Sequence, residues 1–499
     1  MPNAGLLELV AHGVQDIYLI GNPQITFFKV VYKRHTNFSM ESIQASIDGN
    51  SDFGKKAIIK IPRKADLMHT MTLEVDLPQL STVIGNTSDP TNEGSIGTIT
   101  WVDNIGHALI DFMEFKINGN VIDRQYGEWM EIWTQLTTSE SKKNGLDIML
   151  DRTGSLSTTG PKTVYIPLHF WFCRNIGLAL PLCALQYHEV DLEITLRNFS
   201  ELTTLGINQY FKIKSGANVG SILLVIEKID TSQTPSLDGG YPGTYLVFSD
   251  GTKYSLEDTS TGINEFTDAG DYTITLTTPL TTTYDNGDEV YFKKNGKLSS
   301  STHSVTDMRL FIDYIYLDTY ERKEFSLAKH RYLIEQVQDS GIESISENTI
   351  IKKFNLNFNL PVKELFWTIQ LARVNRNNDL FNYSNTVADG ISQDNIMDKC
   401  VIMMNGIERF QERKADYFRL IQPYYKHTRV PNKYFYMYAF AIKPEDHQPS
   451  GCSNFSKIDT VDMNITLKTG IPATNLRYYA LNYNILRIYN GMGGIAFSN

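Results

Sequence analysis

Histidines, cysteines and clustered acids are the residues of this chain that could do chemistry, and their spacing decides whether they can. His188 and Glu189 are adjacent, but neighbours on a strand point to opposite faces, so they do not form a ligand-and-base pair. His169 and His188 could meet across neighbouring strands, yet the ten histidines are dispersed, whereas metal-dependent β-sandwich enzymes of the cupin type need them close together. Asp285-Asn286-Gly287-Asp288-Glu289 offers oxygen ligands, but its spacing fails a calcium loop, where Gly follows three alternating ligands. It reads as a turn with solvated carboxylates. Gly216 to Ser221 has the glycines of a phosphate loop without the lysine that would reach a phosphate. Neither H-E-x-x-H nor G-x-S-x-G occurs. Cys173, Cys183, Cys400 and Cys452 are too few and scattered for a disulfide framework, and no C-x-x-C exists for zinc. Reduced, buried thiols are expected. Asn37, Asn86, Asn198, Asn382, Asn454 and Asn464 match N-x-[ST], and only Asn86 and Asn382 fall in expected exposed loops. The reading is of no catalytic residue, no cofactor-binding residue, no metal ligand and no cofactor.

Such residues would need a scaffold, and the bulk numbers bound it. At 499 residues, two or three domains are expected. Aromatics at 11%, with 27 Tyr and 25 Phe, lean toward β-structure. No apolar stretch approaches the ~18–20 residues that span a bilayer, and the N-terminus lacks the basic and apolar regions of a secretory signal. A net charge of −10 argues against direct nucleic-acid binding. Residues 230–290 hold eleven acids against Lys253 alone, so that segment nets −10 and the other 438 residues read as electrically neutral.

Turn signals and apolar periodicity divide the chain. Leu6, Leu7, Leu9 and Val10 make one apolar helical stripe in a short arm. Gly21-Asn22-Pro23 is a turn. Ile25 to Tyr32 reads as a strand, and its unbroken apolar character predicts cover on both faces. Strands separated by turns follow to about residue 200, with a polar exposed loop at 79–98, a strand from Phe112 to Ile117 closed by Asn118-Gly119, and a short helix after Gly127. Thr163–Cys173 and Leu185–Leu196 read as further strands. Residues 200–305 carry turn signals every eight to twelve residues between short strands, the signature of a small all-β insertion. Arg322–Gln338 reads as a connecting helix. Phe354 to Leu360 alternates strictly and is the clearest half-buried strand.

An internal echo points to duplication. Phe115-Lys116-Ile117-Asn118-Gly119, then Arg124 and a Trp129/Trp133 helix, is answered by Met403-Met404-Asn405-Gly406, then Arg409, Arg413 and a helix bearing Tyr417 and Phe418. Val190-Asp191-Leu192-Glu193-Ile194-Thr195-Leu196 is answered by Val461-Asp462-Met463-Asn464-Ile465-Thr466-Leu467. Two matches in the same order predict a duplicated β-sandwich.

The run Tyr18 to Ile43 resembles the opening of the double jelly-roll major capsid proteins of nucleocytoplasmic large DNA viruses, the algal and amoebal type. The likeness returns at Gly177–Val190, at Asp313–Thr319 leading into Tyr332–Gln336, at Gln448–Ser456 and at Asn482–Gly494. It covers nearly the whole chain outside the insertion and residues 373–395.

That resemblance implies an all-β fold of two tandem eight-stranded jelly rolls, with a small β-rich insertion in the first and short connecting helices. The boundaries expected are an arm at 1–24, a first roll at 25–204 and 303–320, an acidic insertion at 205–302, a linker helix at 321–345 and a second roll at 346–499. It implies a self-assembling, non-enzymatic subunit in the virion shell, assembled in the host cytoplasm as homotrimers of pseudo-hexagonal outline. The partners implied are its own copies and neighbouring capsomers, minor capsid and penton proteins, an inner membrane indirectly, and host-surface molecules through exterior loops. A neutral body suits such tiling. The alternative is a tandem β-sandwich carbohydrate-binding protein of lectin type.

Overall fold

The computed structural model describes residues 4–80, 97–152, 161–215, 218–221, 223–228, 245–248, 253–255, 271–276, 279–286, 289–296, 303–372, 379–385 and 394–497. Its contacts divide it into two compact units, Met1–Phe38 and Ser39–Asn499.

In the first unit Ala4–Val10 is helical, and a second short helix covers Ile17–Ile20. Ile25–Tyr32 is not a strand: its backbone lies outside any sheet, and Phe27 and Phe28 are 88% and 98% exposed. Aromatic and β-branched residues fit a pleated, partnered surface rather than creating one, so without a ladder the propensity goes unexpressed.

The second unit holds two rolls of the same design. In the first, β1 (Phe38–Ala45), β16 (Asp307–Leu317), β3 (Leu67–Leu77) and β7 (Lys162–Pro167) form one sheet, with β8 (Leu180–Pro181) beside β3. Its companion orders β2 (Lys56–Lys60), β9 (Val190–Leu196), β5 (Ile110–Ile117) and β6 (Asn120–Tyr126). In the second roll, β17 (His330–Ile345), β26 (Thr474–Tyr489), β19 (Pro361–Leu371) and β23 (Tyr436–Ala439) repeat the first order, with β24 (Ser453–Asn454) beside β19 and β27 (Met492–Ile495) beside β26. Its companion orders β18 (Ile351–Asn355), β25 (Val461–Leu467), β20 (Met397–Met404) and β21 (Ile407–Glu408), with β22 (Arg413–Lys414) also beside β20.

The echo in the sequence is thus an echo in space. β9 and β25 hold the same place, each between an edge strand and the strand that runs into an Asn-Gly turn. Asn118-Gly119 and Asn405-Gly406 all take positive φ, between 48° and 79°, as tight hairpin turns require. β3 and β19 align through their short partners, Leu67 opposite Pro181 and Pro361 opposite Asn454. From that register Met71, Leu73, Val75 and Leu77 point into the first core, and Leu365, Trp367, Ile369 and Leu371 into the second.

Several elements differ from expectation. The Thr163–Cys173 strand ends at Pro167, and Trp171–Arg174 is a helical turn. The second expected strand there starts only at Val190. The connecting helix covers Thr319–Leu327 alone; His330–Ile345, assigned to it and the linker, is β17 and pairs along its length with β26. Long-range pairing overrides a helical spacing that only a few apolar residues supported. Beyond β18 the alternation of Phe354, Leu356, Phe358 and Leu360 is kept in burial, although the ladder stops at Asn355.

The region between β9 and β16 is β-rich, as expected. β13 (Lys253–Ser255), β12 (Tyr245–Val247), β15 (Glu289–Gly296), β10 (Thr203–Ser215), β11 (Leu223–Lys228) and β14 (Asp271–Thr275) form one sheet, and β4 (Gly97–Trp101) joins it beside β10. Most of the 79–98 loop, Asn86 and much of the acidic stretch, including Gly287 and Asp288, lie outside the described residues.

Candidate functional site at the seam between the two rolls

The residues singled out by sequence do not converge. His188 sits in the turn before β9, where its Nδ1 accepts from Gly493 N–H at 3.0 Å. The backbone carbonyl of His169 instead receives Gln125 and Arg174, and burial drives its imidazole pKa down to about 3. No group of three His, Cys, Asp or Glu among the described residues could hold a metal ion. Of the four thiols expected to be buried, Cys400 is buried, Cys173 and Cys183 are half-buried and Cys452 is exposed. Asn382 is half-buried rather than open: its amide donates to Asp379 at 2.8 Å while its carbonyl accepts from Ser384.

Polar residues gather instead where the first roll meets the outer face of β26–β19–β23. The helix Gly127–Thr137 is the wedge, buried along almost its whole length. Trp129 stands edge-on to Phe366 at 5.1 Å and lies 5.9 Å from Tyr479, contacts worth about 1 kcal/mol each beyond the area they bury. Beside it, Glu128 accepts from Thr368 Oγ1 at 2.9 Å and from Tyr479 OH at 2.8 Å. Arg477 reaches Glu128 at 3.4 Å, grips Asp339 through two 2.8 Å hydrogen bonds and lies over the Tyr126 ring.

One turn on, Glu131 is fully buried and receives Lys433 at 3.0 Å, with Arg152, His107 and Gln135 around it. Burial alone would raise this carboxyl; Lys433 and Arg152 hold it well below the usual range. The neighbouring His107 is pushed down by burial to about 4, against its bond to Glu131. Arg429, from the same second-roll segment as Lys433, donates to the carbonyl and side chain of Gln135, each at 2.8 Å.

His427 lies between Glu364 at 2.8 Å and Glu445 at 2.9 Å, beside Trp133. Burial would lower its pKa, but the two carboxylates carry it up to about 9, so both ring nitrogens donate at neutral pH. Asp123 accepts from Val337 N–H at 3.0 Å and Gln125 at 2.9 Å, yet burial still raises it to about 7. Arg174 and Lys363 share Glu335 across the same junction.

The chain end completes the seam. Tyr187 N–H donates to Gly491 C=O at 2.9 Å. Gly491 has a φ of +78°, and a Cβ there would fall 2.4 Å from the Tyr187 ring, so any side chain would have to hold a left-handed backbone and push that ring aside. The two motifs of the resemblance, at 177–190 and 482–494, are therefore two halves of one contact. Sequence reasoning missed the seam's ions. Their signal was present: Lys363-Glu364 interrupts an apolar strand, and Glu128 and Glu131 interleave with Trp129 and Trp133.

Nothing in this arrangement converges on a reacting atom. What it does is tie the two rolls together: Glu128, Glu131, Asp123 and Arg174 of the first roll each bond a group of the second, beside partners on the same roll.

Comparison with known proteins agrees. Residues 26–239 match the model for the major capsid protein N-terminus, and residues 321–494 match that for the large eukaryotic DNA virus major capsid protein. The chain is 35% identical to the major capsid protein of Pyramimonas orientalis virus and 30% identical to that of Paramecium bursaria Chlorella virus 1, each comparison covering 99% of both chains. Its structure superimposes on a chain of the PBCV-1 virus capsid with a TM-score of 0.66 at 26% identity, over 95% of this chain and 100% of that one. The Faustovirus major capsid protein shares the fold, with a TM-score of 0.61 at 15% identity over 96% of this chain and 94% of the other. Two like rolls welded by a polar seam, with relatives along the full length, place this chain among the double jelly-roll major capsid proteins of large eukaryotic DNA viruses, structural proteins that assemble into the virion shell.

Proposed function

We propose that three copies close into a capsomer of pseudo-hexagonal outline, and that many capsomers tile an icosahedral shell without catalysis, cofactor or direct contact with nucleic acid. The observation that carries this reading is the strand-for-strand repeat of the two rolls, which gives three chains six similar units. The arm, residues 1–24, faces inward in this reading. Its exposed Leu7, Leu9 and Val10 supply apolar surface for minor capsid proteins, which join the shell to an inner membrane, and penton proteins close the vertices. Residues 205–302 form an outward tower whose carboxylates stay solvated, and it and other exterior loops meet host-surface molecules. Assembly takes place in the host cytoplasm.

Light scattering of the purified chain, followed by electron microscopy, tests this. The expected result is a stable trimer seen as a hexagonal outline with three protrusions; a monomer at all concentrations overturns it. Deleting residues 205–302 should leave the trimer intact and remove the protrusions, and loss of the trimer would refute the tower assignment.

A further inference from the structure

The duplication places one kind of face in two environments. On the second roll, the outer face of β26–β19–β23 presents Phe366, Thr368, Arg477 and Tyr479 to the first roll. The matching registers on the first roll hold Thr72, Glu74, Arg309 and Phe311, because Leu310 opposes Leu73 where Tyr478 opposes Trp367. These four are half-exposed. Arg309 reaches Glu74 at 2.9 Å, Asp76, and Asp307 at 3.5 Å, while Asp313 accepts from Thr70. The face thus holds one base among four acids.

The seam's other half is the hairpin and helix that follow Asn118-Gly119. Its counterpart follows Asn405-Gly406: β21, β22 and the helical segment Tyr417–Lys426. There Ile407, Tyr424 and Tyr425 are 74%, 71% and 75% exposed, whereas Trp129 and Ile132 of the first roll are fully buried. This region is also basic. Residues 407–426 hold five bases against the three acids Glu408, Glu412 and Asp416. Arg409, Arg413 and Lys414 are exposed, and Lys414 lies directly across from Lys399, which Glu412 of the same region pairs at 3.4 Å.

The electrical neutrality read from the body is a cancellation. Residues 39–204 with 303–320 carry 24 acids and 14 bases, while residues 321–499 carry 18 acids and 22 bases.

We infer that the outer face of β16–β3–β7 docks on the β21, β22 and Tyr417–Lys426 region of a second copy, repeating between chains the seam made within each. This rests on the trimer reading above and names its faces. Unlike faces meeting head to tail close a ring when the rotation allows, and opposite charge sets their register while like faces repel.

The test reverses each face in the full-length chain: Asp307→Arg with Asp313→Arg, and separately Arg413→Glu with Lys414→Glu. Light scattering at low salt should show each double variant at least tenfold weaker in trimer formation, with thermal melting of the monomer unchanged. The chain carrying all four changes should recover the trimer. Mixing the two double variants should give pairs but no closed trimer, since an odd ring cannot alternate. A double variant that trimerises like the original, or a fourfold variant that fails to recover, overturns the inference. Trapping gives a second readout: Phe311→Cys with Tyr424→Cys in a Cys452→Ser background should cross-link between chains, and its failure in a trimer counts against these faces. An original chain that never trimerises refutes the trimer reading itself, which is a different outcome.

Discussion

β3 and β19 hold the same place in the two rolls, yet β3 alternates buried and half-exposed residues while β19 is buried almost throughout. Their inward residues are alike. Their outward residues are not: Thr72, Glu74 and Asp76 on β3 stand where β19 has Phe366, Thr368 and Gln370. The same contrast holds between β16 and β26, where Phe311 answers Tyr479 and Arg309 answers Arg477. Fold therefore resides in the inward set, which both copies keep, and the outward set records what each sheet touches. A sheet covered by its sister roll becomes aromatic and ionic in pairs; a sheet left open keeps Thr and carboxylates.

Matched substitutions at equivalent positions can break that contrast. The largest difference is expected for Phe366→Ala against Thr72→Ala. Removing Phe366, which is fully buried, should cost about 3–5 kcal/mol in urea unfolding, whereas Thr72→Ala should stay within about 0.5 kcal/mol. Equal losses would mean the two faces are not distinguished by cover.

Next comes Arg477→Met against Arg309→Met. The first strands Glu128 and Asp339 inside the seam and should cost about 3 kcal/mol. The second leaves solvated acids and should cost under about 1 kcal/mol. Denaturant midpoints of the two purified variants would report the difference.

His427 sharpens the comparison through pH. Its folded pKa of about 9 lies above the ordinary 6.5. The stabilisation is therefore complete below pH 6.5 and is lost as pH rises through about 9. Asp123, raised by burial to about 7 from 3.8, acts in the same direction between those values. Melting temperatures should thus fall from pH 6.5 to 9.5, and His427→Gln should flatten most of the slope across that window. A slope that survives the substitution would place the titration elsewhere.

The smallest effect is expected at the chain end. Gly491→Ala must hold a positive φ and displace the Tyr187 ring, at about 1–2 kcal/mol, while Gly494→Ala, whose added Cβ meets nothing within 4 Å, should be near neutral in the same melts.

Much of this was legible beforehand. The Asn-Gly turns, the V-D-x-x-I-T-L repeats and the β-rich acidic region all announced themselves, because turn chemistry and period-two burial are local properties. What was not legible depends on cover. Ile25–Tyr32 has strand composition and no ladder, and His330–Gln338 has some helical spacing but pairs with β26, more than 100 residues away. Nothing near His427 in the sequence marks it as buried, because Glu364 and Glu445, which hold it, lie 63 and 18 positions away. The opposite excess charge of the two halves could have been counted at once, and a whole-body sum concealed it.

The contact between Tyr187 and Gly491 also sets a schedule. His188 and Gly493 are separated by 305 positions, so a ribosome adding roughly 5–20 residues each second needs tens of seconds to deliver the second half of the clasp after the first. Until then the first roll exists without the neighbour that covers Trp129, and even its own sheet waits for β16 to arrive after the insertion. Completion of the subunit is thus tied to completion of the polypeptide: a truncated product presents a raw aromatic surface, and only a finished chain hides it.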